Sequence, residues 1–189
     1  MELFGIFSAF GLSASAGLNA YIPLLVVAFL AKFTNLVTLE SPWDALTNWW
    51  VIGLLVVLSL IEFFADKAPA VNHINDIIQT FIRPTAGAIA FAASANIITD
   101  IHPVLSLGLG LLIAGGVHAT KTLAVRPAVT ATTAGMGNVP VSILEDVIST
   151  VLSILSIVVP VLIACIFIII TSWIIFRMLK RHRAKMSAA

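Results

Sequence analysis

The sequence has very little charge. Only 10% of its 189 residues are Asp, Glu, Lys or Arg, whereas 60% are hydrophobic, and soluble domains usually contain about 25% charged residues. Ten basic and nine acidic side chains cannot cover a soluble domain of this size, because each apolar helix would need protein on every side. The composition therefore excludes a water-soluble domain and predicts a polytopic all-α protein in a lipid bilayer.

Cysteine and enzyme motifs are also scarce. The single cysteine, Cys165, excludes an intramolecular disulfide, and its apolar surroundings suggest a small hydrophobic side chain facing lipid or a neighbouring helix. The net charge of +1 gives no reason to expect a nucleic-acid partner. HExxH, GxSxG and Walker motifs are absent, so we expect neither an enzyme nor a cofactor or metal.

Four apolar segments precede residue 118, and a membrane-spanning helix takes about 20 residues. The first, residues 3–31, contains Gly17 and Pro23, so it is either one tilted helix or a broken one whose free backbone groups need partners. Tryptophans at residues 49 and 50 are typical of a membrane interface. The next crossings are predicted at residues 49–64, 85–98 and 104–117, the last with glycines that permit close helix packing or mark a flexible segment.

The last apolar segment decides the number of crossings. Residues 142–176 form either one long helix or two short ones that meet near Pro160, which gives five or six crossings in a single domain. Charge bias favours six, because the basic tail at residues 178–189 and the other cations then share the cytoplasmic side. The expected halves are residues 1–100 and 101–177.

An amphipathic helix is predicted between the second and third crossings. Apolar residues at spacings of three and four across residues 65–82 place it in the membrane interface. Arg83-Pro84 is expected to end it, since the residue before proline disfavours the helical conformation. A later helix is expected to begin at Ser142, which has capping-box spacing to Glu145. Its polar stripe consists of Glu145, Ser149, Ser153 and Ser156.

Two charged islands, residues 59–87 and 118–146, contain the same chemical types: a carboxylate pair, a lysine, an Arg-Pro and a histidine. In addition, GLNA at residues 17–20 resembles GVHA at 116–119, and SLIE at 59–62 resembles SILE at 142–145. A duplication with three crossings per half would be an inverted repeat, which many secondary transporters use. The unequal spacing of the two pairs counts against strict symmetry.

Ionisable residues in membrane segments usually face the bundle interior or a cavity. Glu62 and Glu145 can exchange protons or pair with cations. Arg83, Arg126 and the neighbouring lysines can form an anion site, or extend to lipid headgroups. His118 can relay protons, and the asparagines can be neutral ligands. The candidate substrate- or ion-binding residues are Asn19, Glu62, Asp66, Lys67, Arg83, His118, Lys121, Arg126, Asn138, Glu145 and Asp146.

Two further pairs at helical spacing, Glu62 with Asp66 and His73 with Asp76, have too few ligands for a metal site. We therefore interpret them as surface or hydrogen-bonding residues. The sharper prediction concerns the islands themselves. We expect them to meet on one side of the membrane and to form a single site.

Several motifs together resemble a known family. They are GLNAYIPL near the start, ExxxDKxP at residues 62–69, FxRPxAG at 81–87, and HxxKxxxxRP with GNxxxSxxED across 118–146. The chain resembles, up to about Pro160, the uncharacterised bacterial integral membrane family called domain of unknown function 4126. The resemblance implies a protein of the bacterial inner membrane, with no settled activity.

The primary hypothesis is a small secondary transporter or exporter of a small anionic or polar solute, coupled to protons or cations. A homodimer is expected, because so few helices make a thin wall around a pathway. A lipid-phosphate translocase, which would bind a lipid headgroup, is one specific version. The alternative is a non-transporting scaffold or assembly factor, which would lack a continuous polar cavity. A lipid-modifying enzyme would need a nucleophile or metal cluster that the sequence does not display.

Overall fold

The computed structural model describes residues 2–67, 69–95 and 102–160, together with residues 165, 168–170, 172–173 and 176–177. Helices form the regular structure throughout these residues, which contain no strand, so the predicted all-α class is confirmed. In chain order the helices are α1 (Glu2–Leu18), α2 (Tyr21–Phe33), a short 3-10 helix (Trp43–Thr47), α3 (Trp49–Lys67), α4 (Pro69–Ala95), α5 (Pro103–Thr120), a π-helical segment (Lys121–Val125), α6 (Arg126–Thr133) and α7 (Asn138–Val158).

Three helical stretches of the described part are long and apolar enough to cross a membrane: Trp49–Lys67, Pro103–Thr133 and Asn138–Val158. Two shorter apolar helices, α1 and α2, accompany them. These lengths indicate an integral membrane protein. The choice between five and six crossings depends on residues beyond Pro160, which lie mostly outside the described part, as do the turn after residue 98 and the basic tail.

The first apolar segment is broken into α1 and α2. Of the two interpretations left open above, the broken helix is the one that the structure contains. Asn19 lies at the break, and its Oδ1 accepts hydrogen bonds from the backbone N–H groups of Tyr21 and Ile22, both at 3.1 Å. Pro23 lies in the first turn of α2, where its missing N–H costs no hydrogen bond.

Close packing of small residues holds α4 against α1 and α5. Alanines line the interface, and the backbones of α4 and α5 approach so closely that a Cβ on Gly87 or Gly110 would overlap the facing helix. Gly108 instead faces open space. Gly110 therefore serves packing, and the alternative of a flexible or broken segment at Gly108 and Gly110 is wrong, because α5 is continuous there.

The predicted helix end at Arg83-Pro84 is also wrong. Helix α4 is 27 residues long and continues through Pro84. The amphipathic segment and the third crossing are therefore one helix. A proline inside a helix costs one backbone hydrogen bond. Tertiary contacts offset that cost, since Arg83 forms ion pairs with α3 and Phe91 is fully buried further along the helix.

The predicted helix start at Ser142 is wrong as well. Helix α7 begins four residues earlier, at Asn138, and α5 continues through the π-helical segment into α6, so most of the second island is helical. Ser142 and Glu145 both lie on the buried face, and a three-residue spacing fits one helix face as well as a capping box. The predicted polar stripe is confirmed, because Glu145, Ser149, Ser153 and Ser156 are all buried along α7, and Ser142 and Asp146 are buried with them.

Two glycine substitutions test the α4–α5 contact. Gly110→Ala should lower the free energy of unfolding by about 1–3 kcal/mol, because the new methyl group overlaps the backbone of α4. Gly108→Ala, two residues away on the same helix, should be neutral or stabilising by up to about 1 kcal/mol. Reversible unfolding in mixed detergent micelles, followed by circular dichroism, measures both. Equal effects of the two substitutions would contradict the close contact.

Candidate functional site

Asp66 lies at the centre of a buried cluster that joins the two islands. Its Oδ2 lies 3.1 Å from Arg83 Nη2, 3.4 Å from Lys121 Nζ and 3.2 Å from Arg126 Nη2. Its Oδ1 accepts a hydrogen bond of 2.6 Å from Asn75 Nδ2. One carboxylate on α3 thus connects α4, the π-helical segment and α6, and the islands meet as the sequence predicted.

Arg83 is the most deeply buried cation of the cluster, with a side chain that is 0% exposed. Its Nε and Nη2 donate to Glu62 Oε1 at 3.0 and 2.8 Å, which makes a two-pronged contact with one carboxylate oxygen. Arginine is suited to such a position, because its guanidinium is weakly hydrated and presents several donors in one plane. A lysine could not make the same set of contacts.

Charged side chains also neutralise the break between α1 and α2. The carboxylate of Glu62 accepts from the backbone N–H of Ala20 at 3.1 Å, near the start of α2. Lys121 Nζ donates to the carbonyl oxygen of Leu18, the last residue of α1, at 3.3 Å. The N-terminus of a helix favours an anion and its C-terminus favours a cation. The broken helix is therefore part of the charged site.

The remaining ion pairs surround this centre. Lys121 Nζ lies 2.7 Å from Glu145 Oε2, and Lys67 Nζ lies 2.7 Å from Asp146 Oδ2. Asp146 Oδ1 also accepts a hydrogen bond of 2.9 Å from Asn19 Nδ2. Consequently α7 contacts α3 and the broken helix through Asp146, and the π-helical segment through the adjacent Glu145.

His118 is neutral in this arrangement. Arg83 Nη1 lies 3.2 Å from His118 Nδ1, and since a guanidinium has only donors, Nδ1 must accept. His118 Nε2 lies 3.1 Å from Thr80 Oγ1, which itself donates to the carbonyl oxygen of Asp76. The Nε2 proton therefore donates to Thr80. The histidine is held as one tautomer between two helices and adds no positive charge.

The cluster contains more carboxylates than cations. Because His118 is neutral, five negative and four positive side chains leave a formal charge of −1. The carboxylates are Glu62, Asp66, Asp76, Glu145 and Asp146, and the cations are Lys67, Arg83, Lys121 and Arg126. Each cation has a carboxylate partner at 2.7 or 2.8 Å. An anion at any of the four would therefore compete with a carboxylate that is already in contact with the cation.

The π-helical segment brings Lys121 and Arg126 onto one face. In an α-helix of roughly 3.6 residues per turn, residues five apart point about 140° apart. Here the N–H of Arg126 bonds to the carbonyl oxygen of Lys121, five residues earlier, so the two side chains lie one turn apart and both reach Asp66. Such segments are frequent at functional sites.

A half-open cavity of about 810 Å³ borders the cluster. Asp66, Lys67, Asp76 and Arg126 line its charged side. Its other side is formed by α6, the following turn and the start of α7. The residues there include Pro127, Thr130, Ala131, Met136, Asn138 and Val139. The buried ion pairs are therefore accessible from a space of the size that small-molecule sites usually have.

Ten of the eleven candidate residues belong to the cluster, and Asn138 does not. Asn138 lines the cavity instead, where its Nδ2 donates to Thr130 Oγ1 at 2.9 Å. Of the surface or hydrogen-bonding interpretation given above to Glu62, Asp66 and Asp76, the hydrogen-bonding part is confirmed for all three, and Glu62 and Asp66 are buried rather than at the surface. Asp76 in fact forms an ion pair of 2.7 Å with Arg126. The side chain of His73 lies outside the described part.

Sequence reasoning missed Asn75, Gln79 and Thr80. Asn75 and Gln79 precede Arg83 at intervals of four, so all three lie on one face of α4, and all three are buried. This spacing of polar residues could have predicted their burial beside Arg83, but the polar face of the helix was instead placed in the membrane interface. Within the described part of the chain, no group of three or more His, Cys, Asp or Glu residues is arranged to hold a metal ion.

Comparison with known proteins identifies a family. The sequence profile described as Domain of unknown function (DUF4126) matches residues 6–181, which include every helix of the site. The resemblance inferred from the motifs is confirmed, and it extends beyond Pro160. No curated protein and no solved structure matches the chain.

A double-mutant cycle tests the central ion pair. Arg83→Met should lower the free energy of unfolding by about 3–5 kcal/mol, because it leaves Glu62 and Asp66 buried without their shared guanidinium. Adding Glu62→Gln should restore about 1 kcal/mol or more relative to the sum of the single effects. Unfolding in mixed micelles measures the cycle. Additivity within about 0.5 kcal/mol would show that the two residues are not coupled.

Changes in chain length test the π-helical segment. Deletion of the exposed Leu123 should convert it to a regular α-helix in which Lys121 and Arg126 are four apart and still share a face. Insertion of one alanine after Leu123 should instead rotate Arg126 away from Asp66. We expect the deletion variant to unfold within a few degrees of the parent and the insertion variant to be markedly less stable in thermal unfolding. Equal stability of the two variants would contradict this account.

Proposed function

The chain belongs to the DUF4126 family, and from its charged site we propose that it is a small membrane transporter of a polar or charged solute, coupled to protons or cations. The observation that carries the proposal is a buried network of ion pairs at a broken helix, open to a cavity of about 810 Å³. In this proposal the cavity holds the solute, and the network links its binding to proton or cation binding.

The broken helix supports transport. Backbone that leaves the helical conformation at membrane depth is tolerated where it is buried in protein or lines a cavity. Many secondary transporters place such a break at the substrate site, and the free helix ends interact with ions and substrate groups. Here Glu62 and Lys121 occupy the two free ends. A change in the charge of either residue would therefore act directly on the backbone of the break.

The energetic cost of the network also supports a function. Buried ion pairs often stabilise a protein no more than apolar residues of the same volume would, so folding alone does not explain nine charged side chains. Charged residues among membrane helices mark substrate and ion pathways. Asp66 is suited to coupling, because it is the counter-charge that Arg83, Lys121 and Arg126 share, and a helix movement that withdrew it would leave them without one. The three cations would then repel one another and separate.

A cavity beside the charged cluster gives more support to transport than to the scaffold hypothesis, which predicted a bundle without a continuous polar cavity. The ion pairs also indicate which charge the solute carries. Because each cation already has a carboxylate partner, they give less support to an anionic solute, or to a lipid-phosphate translocase, than the sequence indicated. The proposal retains a homodimer in the bacterial inner membrane with a cytoplasmic C-terminus. It also retains an inverted repeat, because Glu62 and Glu145 of the two similar motifs both join the cluster.

Flux in proteoliposomes tests transport. Purified protein should produce internal pH changes, followed by an enclosed dye, when a panel of small organic acids, inorganic anions and alkylammonium salts is added outside. Asp66→Asn and Glu62→Gln should reduce the rate about tenfold or more, because they remove the shared counter-charge and the anion at the helix break. Asp44→Asn, in an exposed helical turn, is the matched control and should retain the rate. Absence of flux with every solute, or equal rates for all variants, would contradict transport.

A further inference from the structure

Four buried side-chain oxygens have no hydrogen-bond partner among the described residues: Asp76 Oδ1, Gln79 Oε1, Ser142 Oγ and Glu145 Oε2. Glu145 Oε2 forms the ion pair with Lys121, and the two that belong to α4 are Asp76 Oδ1 and Gln79 Oε1. The Gln79 side chain is deeply buried, with the residue only 2% exposed. Asp76 uses its other oxygen, Oδ2, for the ion pair with Arg126. A buried acceptor without a donor costs free energy, so both oxygens favour a ligand that supplies donors.

Both oxygens belong to the face of α4 that bears the cluster. Asp76 and Gln79 are three residues apart, which places them on adjacent turns of the helix. Gln79 lies between Asn75, which contacts Asp66, and Arg83, which contacts Glu62. Asp76 also lines the cavity. Asp76 therefore lies at the space that a ligand can enter, and Gln79, which does not line the cavity, lies on the next turn of the same helix face.

The charge of the cluster indicates the sign of the ligand. Among the described side chains, its five carboxylates and four cations leave a formal charge of −1, which the neutral His118 does not balance. A buried charge is stabilised by pairing. On α4, Asp76 Oδ1 is the carboxylate oxygen without a hydrogen-bond partner among the described residues. A positively charged group with N–H donors would satisfy this oxygen and the charge balance together.

The opposite wall of the cavity indicates the rest of the ligand. Pro127, Ala131, Met136 and Val139 present apolar surface there, and methionine adapts to varied shapes. The volume of about 810 Å³ far exceeds that of a single ion. It lies within the range of sites for small organic molecules, about 300–1,000 Å³.

We propose that the cavity binds a small organic amine, with its ammonium group donating to Asp76 Oδ1 and Gln79 Oε1 and its apolar body against α6 and the start of α7. The inference rests on the proposed function in that this cavity is the solute site, and it names the class of solute. It predicts discrimination against carboxylates, which meet the surplus negative charge. It also predicts discrimination against quaternary ammonium compounds, which carry no N–H donor.

Binding to the detergent-purified, full-length protein tests the proposal without requiring transport. Isothermal titration calorimetry is carried out with hexylammonium, hexyltrimethylammonium and hexanoate at equal salt concentration and pH. We expect saturable binding of hexylammonium, and affinity at least about tenfold lower for the quaternary compound, because hydrogen bonds to charged groups are lost. Saturable binding of hexanoate in preference to hexylammonium would overturn the proposal, as would no binding of any of the three.

Substitutions locate the binding. Asp76→Asn and Gln79→Met should each weaken hexylammonium binding about tenfold to a hundredfold, because the first removes the negative charge and the second removes the acceptor oxygen. Ala131→Phe, which alters only the apolar wall, should block binding through volume, and its exposed position makes it tolerable for folding. Asp44→Asn should bind like the parent. Monodisperse elution verifies that each variant is folded.

The failures of the two proposals are distinguishable. Hexylammonium binding that depends on Asp76 and Ala131, but without flux in proteoliposomes, would support the ligand class and contradict transport. Flux of an organic acid that is unaffected by Asp76→Asn would leave transport standing and overturn the ligand class. Hexylammonium binding that is equal in the parent, Asp76→Asn and Ala131→Phe proteins would reflect partition into the detergent, and would also overturn the proposal.

Discussion

The carboxylate of Asp66 is the interaction on which the rest of the structure depends. Three cations share its Oδ2, and they come from α4, the π-helical segment and α6. The same cations hold the carboxylates of α3 and α7, and through Glu62 and Lys121 they hold the two ends of the broken helix. Helices far apart in sequence are thus aligned by one buried oxygen atom.

Two kinds of contact hold the helices of this bundle together. In lipid, apolar side chains gain little by leaving the solvent, so helices associate through close packing and polar contacts. The α4–α5 interface supplies the close packing at Gly87 and Gly110. The α1–α7 interface supplies the polar contacts, since Ser15 Oγ lies 2.8 Å from Ser149 Oγ and 2.7 Å from Ser153 Oγ. Together they fix the helices whose charged ends meet at Asp66.

The sequence predicted the membrane class, most helices and the contact between the two islands, because each follows from the large free-energy cost of exposing charge or backbone polar groups to lipid. Because a charged side chain in lipid is energetically unfavourable, the charged residues of the islands were expected to form ion pairs or to contact water. They include Glu62, Asp66, Lys121 and Glu145. Predictions of helix ends from local sequence motifs were wrong where tertiary contacts favoured a continuous helix. Helix α4 continues through Pro84 because buried partners hold both sides of it.

The sequence could not predict which charges pair. Arginine binds a carboxylate of the protein as readily as one of a ligand, so the sequence left Arg83 and Arg126 open to an anionic solute. The choice depends on distances across helices, which one chain without relatives does not reveal. The π-helical segment had only a weak signal, Pro127, whose missing N–H disturbs the regular hydrogen bonding of the preceding turn. Asp76 belongs to an amphipathic pattern whose polar face was placed at the membrane interface, whereas in the structure it contacts Arg126 within the cluster.

The continuity of α4 has a mechanical consequence. Pro84 interrupts the backbone hydrogen bonding between a half that borders the cavity and a half that is fixed by packing against α1 and α5. Bending is easiest at such a point. The adjacent residue is Arg83, so bending would first change the distances from its guanidinium to Glu62 and Asp66. The bending point of α4 and the most deeply buried cation of the cluster occupy the same helical turn.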